Sequence, residues 1–96
     1  MEKDIVIENL KEIAKKYKVD KLVLFGSRAR GDNSPVSDYD FAVFERDLTS
    51  LDKAYFLNEV DELETLKKVD IVFVRESATD ELMKSIVKEG ITIYEY

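Results

Sequence analysis

Apolar residues recur along this chain with the periods of helix and strand in turn. From Ile5 to Lys18 they fall at Val6, Leu10, Ile13, Ala14 and Tyr17, the spacing of one helical face. Lys15, Lys16 and Lys18 crowd the last turn, where cations suit the helix dipole and make a solvated face. Lys21 to Phe25 is a short apolar run, the pattern of a strand buried on both faces. Gly26 ends it, Ser27 to Ala29 reads as a first helical turn, and Gly31-Asp32-Asn33-Ser34-Pro35 is a dense cluster of turn formers. Tyr39 to Glu45 is a second strand. Arg46 to Ser50 leads, with a capping residue, into a helix over Leu51 to Leu66, whose inner face is predicted from Leu51, Ala54, Tyr55, Val60, Leu63 and Leu66. Val69 to Val74 is a third strand. Thr79 to Lys88 is a final helix with Leu82, Met83, Ile86 and Val87 inward, Gly90 suits its C-cap, and Ile91 to Tyr94 is a last strand. This alternation predicts an α/β or α+β fold, a small mixed sheet flanked by helices. No repeat, low-complexity tract or linker interrupts it, so residues 1–96 are expected to form one domain.

Composition narrows the chemistry. There is no cysteine and no histidine. Disulfides, thiolate or imidazole metal ligands and histidine bases are therefore excluded, and acid–base work falls to Asp, Glu, Lys or Tyr. Any metal would be a hard ion held through oxygen, Mg²⁺ or Mn²⁺ rather than Zn²⁺. The formal net charge of −6 makes the chain a poor non-specific binder of nucleic acid, so no direct nucleic-acid binding is expected. No apolar run approaches the roughly 20 residues needed to cross a bilayer. Met1-Glu2-Lys3-Asp4 lacks the pattern of a signal peptide, and the cytoplasm is the expected compartment.

The candidate chemistry sits in Gly26 to Asp40, GSRARGDNSPVSDYD. Asp38 and Asp40 are one residue apart at a strand start, so they share a face while Tyr39 points away. Two such carboxylates repel unless a cation lies between them, and a divalent metal resolves that. Asp70 heads the third strand; if that strand lies beside the second, three carboxylates meet at one sheet edge. A D-x-D in an acidic chain is by itself more often a solvated surface, and Asp before a strand is common. Gly26-Ser27 changes that balance. Glycine after a buried strand permits close backbone approach, the following amides can face phosphate oxygens, and the Ser27 hydroxyl can donate to one. The plainer reading of the pair is an ordinary strand-to-helix turn. Arg28 and Arg30 flank it, as phosphate ligands or as partners for the many acids. Ser37 either caps the turn beside Asp38 or touches a phosphate. Gly26 to Gly31 has Walker A spacing, but Asp32-Asn33 stands where Lys and Ser/Thr are required, so this is not a P-loop.

The full pattern, Gly26-Ser27, ten residues, then Asp38-Tyr39-Asp40, resembles the signature of the DNA polymerase β-like nucleotidyltransferase superfamily. GSRARGDNSPVSDYDFAVF looks like the minimal nucleotidyltransferases, small prokaryotic proteins often paired with HEPN-domain partners, and the order of elements fits over nearly the whole chain. The resemblance implies a polymerase β-like fold whose Gly26-Ser27 turn cradles the triphosphate of ATP. It implies a metal pair Asp38 and Asp40, with Asp70 as third carboxylate, and Mg²⁺ (two ions) as cofactor. The implied reaction is attack by a hydroxyl on the α-phosphate of ATP. In family members that act as antitoxins, the acceptor is a tyrosine of a HEPN ribonuclease toxin. Two other readings stay open: a module that neutralises a partner by contact alone, and a small-molecule nucleotidyltransferase of the aminoglycoside type.

Overall fold

The computed structural model describes residues 4–31, 38–63, 65, 67–75 and 81–96, apart from the side chains of 82, 85 and 87. Helix α1 (Ile5–Lys16) starts where Asp4 supplies a cap: its Oδ1 accepts from the N–H groups of Val6 (2.9 Å) and Ile7 (3.3 Å). Val6, Leu10, Ile13 and Ala14 form its buried stripe, as their spacing predicts.

Four strands follow from the apolar runs: β1 (Lys21–Phe25), β2 (Tyr39–Phe44), β3 (Val69–Val74) and β4 (Ile91–Glu95). They lie in the order β3-β2-β1-β4. β1 is antiparallel to both β2 and β4, whereas β2 and β3 are parallel, so the sheet is mixed and the class is α+β. The parallel pair needs a crossover, which α3 (Ser50–Asp61) supplies. The single turn α2 (Ser27–Arg30) follows β1, and α4 (Glu81–Glu89) precedes β4.

Alternation along the two central strands divides the core. Leu22, Leu24, Tyr39, Phe41 and Val43 join the buried residues of α1 and α3 in one cluster. Val23, Ala42, Phe44 and Val74 pack with Ile86 of α4 in a second, on the other face. Both central strands are thus buried on both faces, which is why Leu22 to Phe25 and Phe41 to Phe44 read as unbroken apolar runs.

Helix α3 departs from its predicted form. It ends at Asp61 rather than reaching Leu66, and its buried residues are Phe56 and Val60. Leu51 and Tyr55, expected inside, are 60% and 55% exposed, and Ala54 is exposed with them. The helix carries apolar residues on both sides, so periodicity does not choose between them. Phe56, which has no hydroxyl to satisfy, takes the inner side: its ring meets Tyr17 (centroids 5.5 Å apart) and Phe73 (5.6 Å). Tyr17 also ties α1 to α3, its hydroxyl donating to Glu59 Oε2 at 2.5 Å beside Lys16 Nζ, 2.9 Å from Oε1. The Glu59 hydrogen bond, with burial, pushes the Tyr17 hydroxyl up to about 12. Leu63 still packs on the core from beyond the helix; Leu66 lies outside the described residues. So do Thr79, the expected start of the last helix, and the side chains of Leu82 and Val87.

Gly90 serves packing, since its φ is not in the left-handed region. A Cβ there would collide with the Ile86 carbonyl oxygen and with Val23 Cγ1. Glu45, just past β2, is 2% exposed. Its Oε2 accepts from the Leu48 N–H (3.2 Å), and Lys53 Nζ lies 3.2 Å and Arg75 Nε 3.8 Å from its Oε1. Among the described residues no helix is long and apolar enough to cross a membrane.

Candidate active site

The end of β1 and the starts of β2 and β3 come together at one edge of the sheet. Phe25 pairs with Asp40 across the antiparallel β1–β2 ladder, and Asp40 pairs with Asp70 across the parallel β2–β3 ladder. Neighbouring strands lie about 4.8 Å apart, so the register sets Asp70 directly beside Asp40. Tyr39 belongs to the α1–α3 cluster, and alternation turns Asp40 to the opposite face. Asp38, exposed, lies one residue ahead of the strand.

Gly26 is required on two counts. Its backbone has φ +77°, a left-handed conformation that side chains resist. A Cβ would also sit 2.5 Å from Asp40 Oδ2. The glycine therefore brings the turn backbone against the central carboxylate. Its carbonyl accepts from the N–H groups of Ala29 and Arg30, both at 3.1 Å, and so opens α2. Ser27 is the first residue of that turn, and Gly31, in the left-handed region, closes it.

Burial is the main cause that raises the Asp40 carboxyl above the ordinary carboxylate range, followed by repulsion from Asp70 and then Asp38; Arg30 and Lys68 pull it down. Asp70 and Asp38 thus both act on Asp40. Among the described residues no three acidic side chains converge tightly enough to form a ready-made cation cage. Lys68 Nζ stands 3.5 Å from Asp70 Oδ1. The donor set still fits a hard divalent cation: it is all carboxylate oxygen, and it carries the like-charge repulsion that such an ion relieves.

The two arginines part company. Residues two apart on a helical turn project to nearly opposite sides. Arg28 lays its guanidinium over the Tyr39 ring, 3.8 Å from the centroid, whereas Arg30 Nη1 meets Glu89 Oε2 at 3.1 Å and remains near enough to Asp40 to affect it. Ser37 lies outside the described residues, as do Asp32 to Pro35 of the predicted turn. Sequence reasoning did not find Lys68, Glu89 or Asp4. Asp4 carries the signal of a helix cap, but the bond to its Oδ2, from the Tyr39 hydroxyl at 2.6 Å, joins residues far apart in sequence. Burial, then the bond to Asp4, pushes that hydroxyl up to about 12, so it remains a donor. A groove of about 530 Å³ between α1 and α3 is lined by Ile5, Ile13, Glu59 and Leu63 among others and does not include these aspartates.

A mixed four-stranded sheet with a glycine turn at the end of one strand and facing aspartates on the next two defines the class, an α+β nucleotidyltransferase fold. The chain belongs to the polymerase beta nucleotidyltransferase family, whose model matches residues 8–96. No curated protein matches the sequence. Among solved structures, the fold is similar to a toxin–antitoxin with AMP-PNP, at TM-score 0.73 and 22% identity over 94% of this chain and 73% of that one. It is similar to a complex of a tri-AMPylated HEPN toxin with its MNT antitoxin from Shewanella oneidensis, at TM-score 0.68 and 20% identity over 96% of this chain and 71% of that one. An MntA–HepT toxin–antitoxin pair gives TM-score 0.67 and 20% identity, over 98% and 74% of the two chains.

Proposed function

We propose that this chain is a minimal nucleotidyltransferase domain that transfers AMP from ATP to a hydroxyl, a tyrosine hydroxyl by class, of a HEPN-type partner protein and thereby acts as its antitoxin. The observation that carries the reading is the register of Asp40 beside Asp70, with Gly26 packed against Asp40. The family assignment and the likeness to structures holding AMP-PNP or an AMPylated toxin support it.

The residues divide the work. The Gly26 turn brings backbone amides and the Ser27 hydroxyl to the triphosphate. Arg30 lies on the side of Asp40, where it can meet phosphate charge once it leaves Glu89. Asp38, Asp40 and Asp70 are the residues that would hold Mg²⁺, which when bound neutralises phosphate charge and orients the reacting oxygens. The acceptor oxygen forms a bond to the α-phosphorus, the bond to the bridging oxygen breaks, and pyrophosphate leaves with that electron pair. The proton of the acceptor hydroxyl passes to a carboxylate, the base type that a chain without histidine leaves; Asp70, with a 41% exposed side chain, is open to an approaching partner.

The test is the intact mass of a HEPN-domain protein encoded beside this chain, after incubation with the chain, ATP and Mg²⁺. The expected result is mass steps of one AMP unit that vanish with Asp38→Ala/Asp40→Ala. A tight complex without a mass change would instead establish neutralisation by contact. Neither complex nor mass change would redirect the search to small-molecule acceptors.

A further inference from the structure

Tyr39 is the residue between the two aspartates of the D-x-D, and it makes more long-range contacts than a spacer needs. Its ring is buried on the α1–α3 face and stacks on Phe41, with centroids 6.1 Å apart and planes 3° from parallel. The Arg28 guanidinium covers the ring at 3.8 Å. Its hydroxyl donates at 2.6 Å to Asp4 Oδ2, while the other oxygen of the same carboxylate caps α1. Its backbone N–H donates at 2.9 Å to the Lys68 carbonyl, two residues ahead of Asp70.

These contacts link the turn after β1 to the strands that carry the aspartates. Arg28 follows Ser27 directly, so holding its guanidinium fixes the turn that would carry the triphosphate. Tyr39 is bonded covalently to Asp38 and Asp40 on either side. The Lys68 bond sets the start of the strand that carries Asp70, and Asp4 anchors the whole to the capped end of α1. A planar guanidinium over a largely desolvated ring is the strong form of the cation–π contact.

We propose that Tyr39 and Arg28 form a positioning pair that fixes the phosphate turn relative to the three aspartates, and that Arg28 acts through Tyr39 rather than on phosphate. The proposal rests on the function argued above, in that it takes the turn to hold triphosphate and the aspartates to hold metal. Turn and carboxylates then bind one ligand, Mg·ATP, jointly, and misalignment weakens only the part of binding that needs both.

The experiment measures ATP affinity with Mg²⁺ and with excess chelator, together with urea stability, for the unmodified chain and for Arg28→Ala, Arg28→Lys, Tyr39→Phe and Tyr39→Leu. The expected result for Arg28→Ala and Tyr39→Leu is a loss of about tenfold in affinity with Mg²⁺ and little change in chelator. Arg28→Lys, which keeps the charge but loses the flat stack, behaves like Arg28→Ala. Tyr39→Phe, which keeps the ring, loses stability but retains the Mg²⁺ increment. The double variant Arg28→Ala/Tyr39→Leu is no worse than Tyr39→Leu alone. Equal weakening with and without Mg²⁺ in Arg28→Ala would overturn the proposal and make Arg28 a direct phosphate ligand. Full affinity in Arg28→Lys, or an unchanged Mg²⁺ increment in Arg28→Ala, would also overturn it. Should Tyr39→Leu fail to fold, the two Arg28 variants decide the matter. Absence of any Mg²⁺ increment in the unmodified chain is a distinct result that removes the metal reading itself, and the proposal with it.

Discussion

Two carboxylates stand near opposite ends of β2, and their surroundings are opposite in kind. Glu45 is sealed from water with a backbone N–H, Lys53 and Arg75 arranged around it. Asp40 is half-buried against a glycine turn with two further aspartates as neighbours. Both sit where desolvation penalises a charge. At Glu45 the chain supplies the compensation itself. At Asp40 two aspartates add to the penalty, and Arg30 and Lys68 offset it only in part. A buried acid with its own cations is a fastener; one held among other acids is a group that a cation from outside would relieve.

Breaking that contrast should have effects that differ in kind as well as size. Asp38→Ala/Asp40→Ala is expected to lower AMP transfer by about 10²- to 10³-fold or more while the far-UV circular dichroism spectrum stays the same. Retained transfer would remove the aspartates from the site. Glu45→Ala should do the reverse, costing about 1–3 kcal/mol in urea unfolding, because it strands Lys53 and the Leu48 amide, with transfer by the folded fraction intact. A stability loss equal to that of an ordinary surface change would mean that the Glu45 cluster is no fastener.

Smaller effects sharpen the comparison. Asp40→Asn should stabilise the ligand-free chain at neutral pH. The sign follows from the raised pKa: the folded chain holds this proton more readily than the unfolded one. The favourable contribution of the site is therefore complete below the ordinary carboxylate range and is lost as pH rises through the raised value. Urea midpoints of the unmodified chain should carry that fall, and those of Asp40→Asn should lack it. Arg75→Ala, which removes a 70% exposed partner at 3.8 Å, should cost only a few tenths of a kcal/mol. A larger loss would shift the weight of the Glu45 cluster from Lys53 to Arg75.

Much of the scaffold is legible because burial leaves a period. β1 and β2 are buried on both faces and read as continuous apolar runs, and their bounds match the runs to within a residue. Helix α3 is where the pattern fails, because exposed Leu51 and Tyr55 carry as much apolar signal as buried Phe56 and Val60. The neighbourhood of Asp38, Asp40 and Gly26 is legible because it is local: strand, turn and strand lie within one stretch. The place of Asp70 follows only from the β2–β3 pairing, which sequence order does not specify, although an apolar strand headed by an aspartate is a usable hint. The stacking of Arg28 on Tyr39 and the Glu89 partner of Arg30 leave no trace in the sequence, because a polar side chain on a short turn has no periodic signature. Gly90 carries the residue type of a C-cap, yet its need for glycine comes from contact with the Ile86 carbonyl and with Val23 of β1.

The parallel pairing of β2 with β3 has a kinetic consequence. β1 reaches β2 by local chain, whereas Asp70 reaches Asp40 only after the whole crossover through α3 has closed. Contacts that span more chain form against a larger loop-closure entropy, so the antiparallel ladder can assemble first and the parallel one afterwards. That later step must also push two carboxylates together. Refolding of this domain should therefore speed up as ionic strength rises or as the acids are neutralised, with the unfolding limb responding less. The charge arrangement at the sheet edge would then act as a brake on the last stage of folding, set by the aspartates of β2 and β3.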